Sequence, residues 1–109
     1  MRIFEIFDNT QTNPELDYDI QDDLIYWINN DSMFYRKTYY PFAMKVHARF
    51  KHNKPVSAGA FASIVKSAYA AYKQQFPIPG QPDTLSDSDI REISVKLHNE
   101  ELSDFRTNE

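Results

Sequence analysis

Apolar residues recur at the three- and four-residue spacing of an amphipathic helix along most of this chain. The first set on one helix face is Ile20, Leu24, Trp27 and Ile28. Asn13 can cap the start of this helix, and Pro14 suits its first position. The polar run "NND" at 29–31 interrupts the pattern, and we expect Asp31 to cap the helix that follows.

The stretch "FYRKTYYPFAMKVHARFKHNK", residues 34–54, continues the helical pattern but contains Pro41. Proline lacks the backbone N–H that a helix interior needs, and its ring clashes with the preceding turn. We therefore predict a short helix at about 32–39 and a second at about 41–52. The apolar line that these helices share is Tyr35, Tyr39, Phe42, Val46 and Phe50.

The next helix begins after "KPVS". Ser57 is placed to cap it, and Val56 can pack on Phe61 as a hydrophobic staple. Alanines recur through 58–76, which lets other helices approach closely, and Pro77 ends the helix. We expect this alanine-rich segment to be the central helix of the fold.

The last helix follows a proline-rich connection at 77–84, and its start also has a cap residue and a hydrophobic staple. Leu85 and Ile90 can form a second staple around the cap residue Ser86, and Asp89 can supply the acid of a capping box. The apolar positions beyond the cap are Ile90, Ile93, Leu97, Leu102 and Phe105.

These elements predict an all-α fold, a single-domain irregular bundle of about four main helices over residues 1–109. Residues 1–12 would form a short N-terminal arm, and residues 106–109 a frayed tail. Only two glycines occur, which argues against glycine-rich phosphate loops and against a hairpin-rich β fold. No apolar run approaches the length of a membrane span, and cysteine is absent, which suits the cytoplasm.

Charge is distributed in three blocks, which the overall net charge of −4 conceals. Residues 1–31 sum to −7 and residues 83–109 to −5, whereas the segment 32–82 has eight Lys/Arg and no acid. In one interpretation, the acidic helices pack beside the basic middle and balance it. In the other, part of the basic middle stays uncovered and meets an anionic partner. The sequence leaves both open.

The candidate partner-binding residues come from the basic and aromatic middle of the chain. They are Tyr35, Arg36, Lys37, Tyr39, Tyr40, Lys45, Arg49, Lys51 and Lys54. Our leading hypothesis is protein–protein interaction, in which the cations provide charge complementarity and the rings act as anchors. Nucleic-acid binding by the same surface, with tyrosines stacking on unpaired bases, is the first alternative. Self-assembly through apolar helix faces is the second.

No constellation in the sequence indicates an enzyme. His47 and His52 are five residues apart, which separates them on a helix and does not match the spacing of a zinc pair. Ser57 and Ser86 have the context of helix caps, and neither lies in a nucleophile elbow. We therefore predict no catalytic residues, no cofactor, no metal site and no small-molecule substrate.

The run "DIQDDLIYWINNDSMFYRKTYYP", Asp19 to Pro41, resembles segments of small uncharacterised proteins from tailed bacteriophages. The short chain, the absent cysteine and the all-helical layout resemble that group too. The resemblance implies a viral accessory or virion protein, located in the host cytoplasm or the virion. It carries over no functional residue.

Overall fold

Four main helices form the fold in a computed structural model, which describes residues 18–77 and 79–107. Helix α1 is Tyr18–Asn30, α3 is Ala62–Gln75 and α4 is Asp87–Thr107. Helix α2 covers residues 32–51 in three consecutive parts: Ser32–Phe34, Tyr35–Tyr39 and Tyr40–Lys51. The described part of the chain contains no strand, so the predicted all-α bundle is confirmed.

Helix α1 buries the face that the apolar spacing predicted. Leu24 and Ile28 are fully buried, Trp27 is nearly so, and Ile20 packs against the same core from its edge. The predicted cap after this helix is confirmed, because Asp31 Oδ1 accepts a hydrogen bond from the Phe34 backbone N–H at 2.9 Å. The proposed start at 13–14 and the arm at 1–12 lie outside the described residues.

Helix α2 does not break at Pro41, so the prediction of two separate helices was wrong. The turn before the proline, Tyr35–Tyr39, is a wider π turn in which the Tyr40 N–H reaches back to the Tyr35 carbonyl. Pro41 then lies in the first turn of Tyr40–Lys51, where a missing N–H is tolerated. The helix therefore stays continuous, and its apolar line reaches the core through Tyr39, Ala43 and Val46.

The approach to α3 differs in detail from the predicted cap. The chain enters through a 3₁₀ turn, Ala58–Phe61, and the Ser57 hydroxyl makes no capping hydrogen bond. The backbone carbonyl of Ser57 accepts from the Ala60 N–H instead, at 3.1 Å. Phe61 is fully buried and Val56 packs against the core, so the apolar pair stabilises this start where the hydroxyl does not.

Helix α4 begins as predicted. The Ser86 hydroxyl accepts a hydrogen bond from the Asp89 N–H and donates one to Asp89 Oδ2, which joins the cap and the acid. The helix continues to Thr107, into the segment 106–109 where fraying was expected, and residues 108–109 lie outside the described part.

The central helix of the fold is α4. The prediction that the alanine-rich helix, here α3, would be central was wrong. Helix α4 packs against α1, α2, α3 and the 3₁₀ turn. Its buried face contains Ile93 and Leu97 together with three polar residues, Asp89, Ser94 and Glu101. The buried face of α4 is wider than the apolar spacing predicted, because that prediction considered only the apolar residues.

Candidate functional site on helix α2

The outward side of α2 presents cations and apolar side chains together. We call this set the basic face and define it as Arg36, Lys37, Tyr40, Met44, Lys45 and Arg49, all exposed. Tyr40 and Met44 are large hydrophobic residues with 46% and 40% of their surface exposed, and Met33, near the start of the helix, is 60% exposed. These residues come from both sides of Pro41, and one continuous helix carries them through the π turn.

The cations of the basic face are not neutralised by acids of the described chain. The ion pairs between described residues are Lys73–Asp83, Lys96–Asp22 and His47–Glu101. None of them involves a basic-face residue, nor Lys51 or Lys54. Within residues 18–77 and 79–107, the acidic helices therefore leave these positive charges uncovered, which favours the interpretation in which the basic middle meets a partner.

Tyr39 does not belong to this surface, although the sequence suggested it as a contact residue. It is 1% exposed, and its hydroxyl donates a 2.6 Å hydrogen bond to Glu101 Oε2. Burial, followed by this bond to Glu101, raises the pKa of Tyr39 well above its ordinary value, so the phenol stays protonated. Its place on the apolar line of α2 is the reason: it packs between α2 and α4.

Tyr35 occupies an intermediate position at the edge of the basic face. It is half-buried against the core, and its ring lies 6.0 Å from that of Tyr39 and 5.9 Å from that of Tyr40. The three rings thus run from the interior to the surface. Only the outer one, Tyr40, is available as a large exposed anchor.

Lys51 and Lys54 are exposed beyond the basic face, where α2 ends. Asn53 has a φ of 60°, and the Lys54 N–H bonds to the Arg49 carbonyl at 2.8 Å. The Asn53 N–H bonds to Phe50, which completes a Schellman ending. Arg49 and Lys51 therefore also complement the negative end of the helix dipole, a structural role that the cations earlier in α2 do not have.

Two features that the fold creates were not predicted from the sequence. One is a set of buried polar contacts around Glu101 and Asp89; both acids lie on the apolar line of α4, which was a signal in the sequence. The other is an aromatic groove between α1 and α3, whose residues come from distant parts of the chain. Helical spacing alone does not predict which faces of two helices will meet.

Other site types receive no support from the described residues. Within 18–77 and 79–107, no three His, Asp or Glu side chains come together in a way that could hold a metal ion. Among those same residues, every helix is too short or too polar to cross a bilayer.

Comparisons with known proteins give no relatives: no family model, no curated protein and no solved structure matches this chain significantly. The resemblance of Asp19 to Pro41 to phage proteins stays a prediction.

Proposed function

We propose that this protein acts without catalysis, by docking the basic face of α2 onto an acidic surface of a partner protein. One observation carries the proposal: exposed cations with no ion-pair partner among the described residues lie on the same helix as two exposed apolar side chains, Tyr40 and Met44. Charge of one sign steers an oppositely charged partner and fixes its orientation. Exposed aromatic and methionine side chains supply the apolar contact that holds it.

A protein partner fits this surface better than a nucleic acid. Phosphate binding requires cations, but it has no use for Met33 and Met44, which add apolar area to the same side of the helix. The chain also has a net charge of −4, and a long polyanion would be repelled by the remaining surface. A compact acidic patch beside apolar residues on a protein avoids that repulsion.

The biological setting that we propose is a small phage-type accessory or virion protein. Its support is the resemblance of Asp19 to Pro41, a segment that includes all but the first residue of α1 and the first half of the basic face. The proposal predicts no catalytic residue and no cofactor.

The test uses the full chain and a random helical-peptide library displayed on yeast. We expect enriched peptides in which Asp or Glu alternates with aromatic and aliphatic residues. As synthetic labelled peptides, they should bind about tenfold more weakly to Lys45→Glu/Arg49→Glu and to Tyr40→Ala/Met44→Ala, since both charge and apolar contacts contribute. Lys66→Glu, an exposed cation of α3 outside the basic face, is the matched control.

Three outcomes would replace the proposal. Peptides that bind both double variants as well as the parent chain would remove the basic face from consideration. Tight binding of labelled DNA or RNA at about 50 mM salt that collapses by about 200 mM, and is indifferent to Tyr40→Ala/Met44→Ala, would make nucleic acid the ligand. Mass that grows with concentration in sedimentation, and is lost in Lys45→Glu/Arg49→Glu, would indicate self-assembly.

A further inference from the structure

A groove of about 440 Å³ lies between α1 and the C-terminal part of α3, and it shares no residue with the basic face. The α1 residues that line the groove are at positions 23, 26, 27 and 30, which is the spacing of one helix face. Among the residues that the structure describes, no Lys, Arg or His lines the groove. Four aromatic rings and two carboxylates dominate its lining: Asp23, Tyr26, Trp27, Asp31, Tyr72 and Phe76.

The aromatic rings of the groove divide into a packed floor and an exposed rim. Trp27 and Tyr72 are buried, with their ring centroids 6.0 Å apart in an edge-to-face arrangement. Tyr26 and Phe76 are 69% and 47% exposed, and the Phe76 ring lies 5.3 Å from that of Tyr72. Single exposed rings are ordinary on protein surfaces. Here two exposed rings line the same groove as two carboxylates.

The negative charge of the groove is held in place by the fold. The Trp27 indole N–H donates to Gln75 Oε1 at 3.2 Å, and Gln75 Nε2 donates to Asp31 Oδ2 at 3.0 Å. The bond from the Phe34 N–H, followed by that from Gln75, lowers the pKa of Asp31 below its ordinary value, so both bonds favour the carboxylate form. Asp23 is exposed and has no hydrogen bond or ion pair with any described residue.

We propose that this groove binds a cationic side chain, arginine or lysine, presented by a basic peptide segment of a partner protein. Aromatic faces attract cations through the ring quadrupole, and carboxylates at the same place add charge attraction. A guanidinium group can both stack on a ring and donate to a carboxylate. An anionic ligand is repelled by Asp23 and Asp31. A purely apolar ligand would desolvate these carboxylates without giving them a hydrogen-bond or charge partner, which costs free energy.

The test is a heteronuclear NMR titration of the full chain with a hexa-arginine peptide. Trp27 is the single tryptophan of the chain, so its indole N–H gives one unambiguous signal from the groove floor. We expect this signal and those of Tyr26 and Phe76 to shift on titration. A hexa-citrulline peptide, nearly isosteric but uncharged, should leave them in place. No shift with hexa-arginine, or an equal shift with hexa-citrulline, would overturn the proposal.

Variants separate the groove from diffuse attraction to an acidic protein. Tyr26→Ala and Asp23→Asn should each weaken hexa-arginine binding by about two- to fivefold, the range expected for one exposed cation–aromatic or charge contact. Val95→Ala removes exposed apolar surface from α4, and Asp87→Asn removes an exposed charge from the first turn of the same helix; neither should weaken hexa-arginine binding. Equal weakening by Asp87→Asn would mean non-specific attraction and would reject the site.

The chain's own basic face makes a second copy the competing occupant. If raising the protein concentration without peptide shifts the Trp27 signal, and Lys45→Glu/Arg49→Glu abolishes that shift, the groove binds another copy and the proposed peptide partner is wrong. The groove and the basic face share no residue. If the groove does not bind the peptide, the proposal that the basic face of α2 binds an acidic partner is therefore unaffected.

Discussion

Asp89 and Glu101 are both buried carboxylates of helix α4, but they lie about three turns apart in different surroundings. Asp89 is in the first turn, where the positive end of the helix dipole favours an acid. Its carboxylate accepts from the Ser86 hydroxyl at 3.0 Å and from Gln21 Nε2 at 2.6 Å. Asp89 thus combines a local cap with a contact to α1.

Glu101 lies well inside α4, beyond the reach of the dipole at either end. Its two partners among the described residues both come from α2: the Tyr39 hydroxyl at 2.6 Å and His47 Nε2 at 2.8 Å. The rings of Phe50 and Phe105 pack around His47 and exclude water from one side of the cluster. Glu101 therefore depends entirely on contacts between helices.

Because their partners come from different helices, the two buried acids support different surfaces of the protein. Asp89 ties α4 to α1, one wall of the aromatic groove, whereas Glu101 ties α4 to α2, which carries the basic face. A change at Glu101 should be felt by α2, and a change at Asp89 by α1 and the first turn of α4.

The largest effect should follow Glu101→Ala, which leaves the buried Tyr39 hydroxyl without its acceptor and creates a small cavity. We expect the free energy of unfolding to fall by about 3 kcal/mol in urea denaturation followed by circular dichroism. Hydrogen exchange should accelerate in α2 before α1. Glu92→Ala, a less buried acid of the same helix, should cost about 0.5 kcal/mol. Equal losses in the two variants would contradict the role given to Glu101.

Asp89→Ala should have the next largest effect, about 2 kcal/mol by the same measurement. The loss is smaller because the Ser86 hydroxyl still accepts from the backbone N–H of residue 89, so the cap survives. Gln21 loses a buried acceptor, and Asp89→Asn, which restores one, should recover about half of the loss. Gln21→Ala should cost much less in the Asp89→Ala background than alone. Additive losses would show that the two side chains do not interact.

Tyr39→Phe removes one oxygen atom from the Glu101 cluster and should cost about 1 kcal/mol. Because Tyr39 is buried, peptide binding by the basic face should be unchanged. Tyr40→Phe is the reverse case: its ring is exposed, and stability should change by no more than about 0.5 kcal/mol. A large stability loss in Tyr40→Phe together with none in Tyr39→Phe would invert the assignment of interior and surface.

Features of the fold that depend on neighbours in sequence could be predicted well. The capping contacts of Asp31 and Ser86 involve residues three positions apart, and the buried face of α1 follows from helical spacing. The continuity of α2 could not be predicted from Pro41, because a π turn is a structural alternative to a break and has no strong composition of its own.

Features that depend on tertiary contacts were missed. Acids are mostly found at the surface, so burial of Glu101 was not expected, and Asp89 was predicted only as the acid of a local cap. Their partners on α2 and α1 are distant in sequence. Tyr39 and Tyr40 are adjacent tyrosines with opposite environments, and one residue of helical rotation decides which is buried. The aromatic groove brings Tyr26 of α1 and Phe76 at the end of α3 to the same cavity, which local spacing does not indicate.

The smallest predicted effect concerns Glu100, the neighbour of Glu101. Burial, followed by repulsion from Glu101, raises the pKa of Glu100 above its ordinary value of 4.5. The folded state therefore disfavours the ionised form, and this cost appears as the pH rises through the ordinary pKa and is complete above the raised one. Glu100→Gln should stabilise the protein at about pH 7 by no more than about 0.5 kcal/mol, since water screens a partly exposed group.

The gain from Glu100→Gln should vanish in acid, where Glu100 of the parent chain is already protonated. The amide oxygen of the substituted side chain can still accept from Asn29 Nδ2, as the Glu100 carboxylate does. The gain should also shrink in a Glu101→Gln background, because part of the repulsion is then gone. Urea denaturation of the four chains across the acid range checks both statements. If the stability gain from Glu100→Gln persists in acid, or is equally large in the Glu101→Gln background, Glu100 is destabilising for reasons other than its charge.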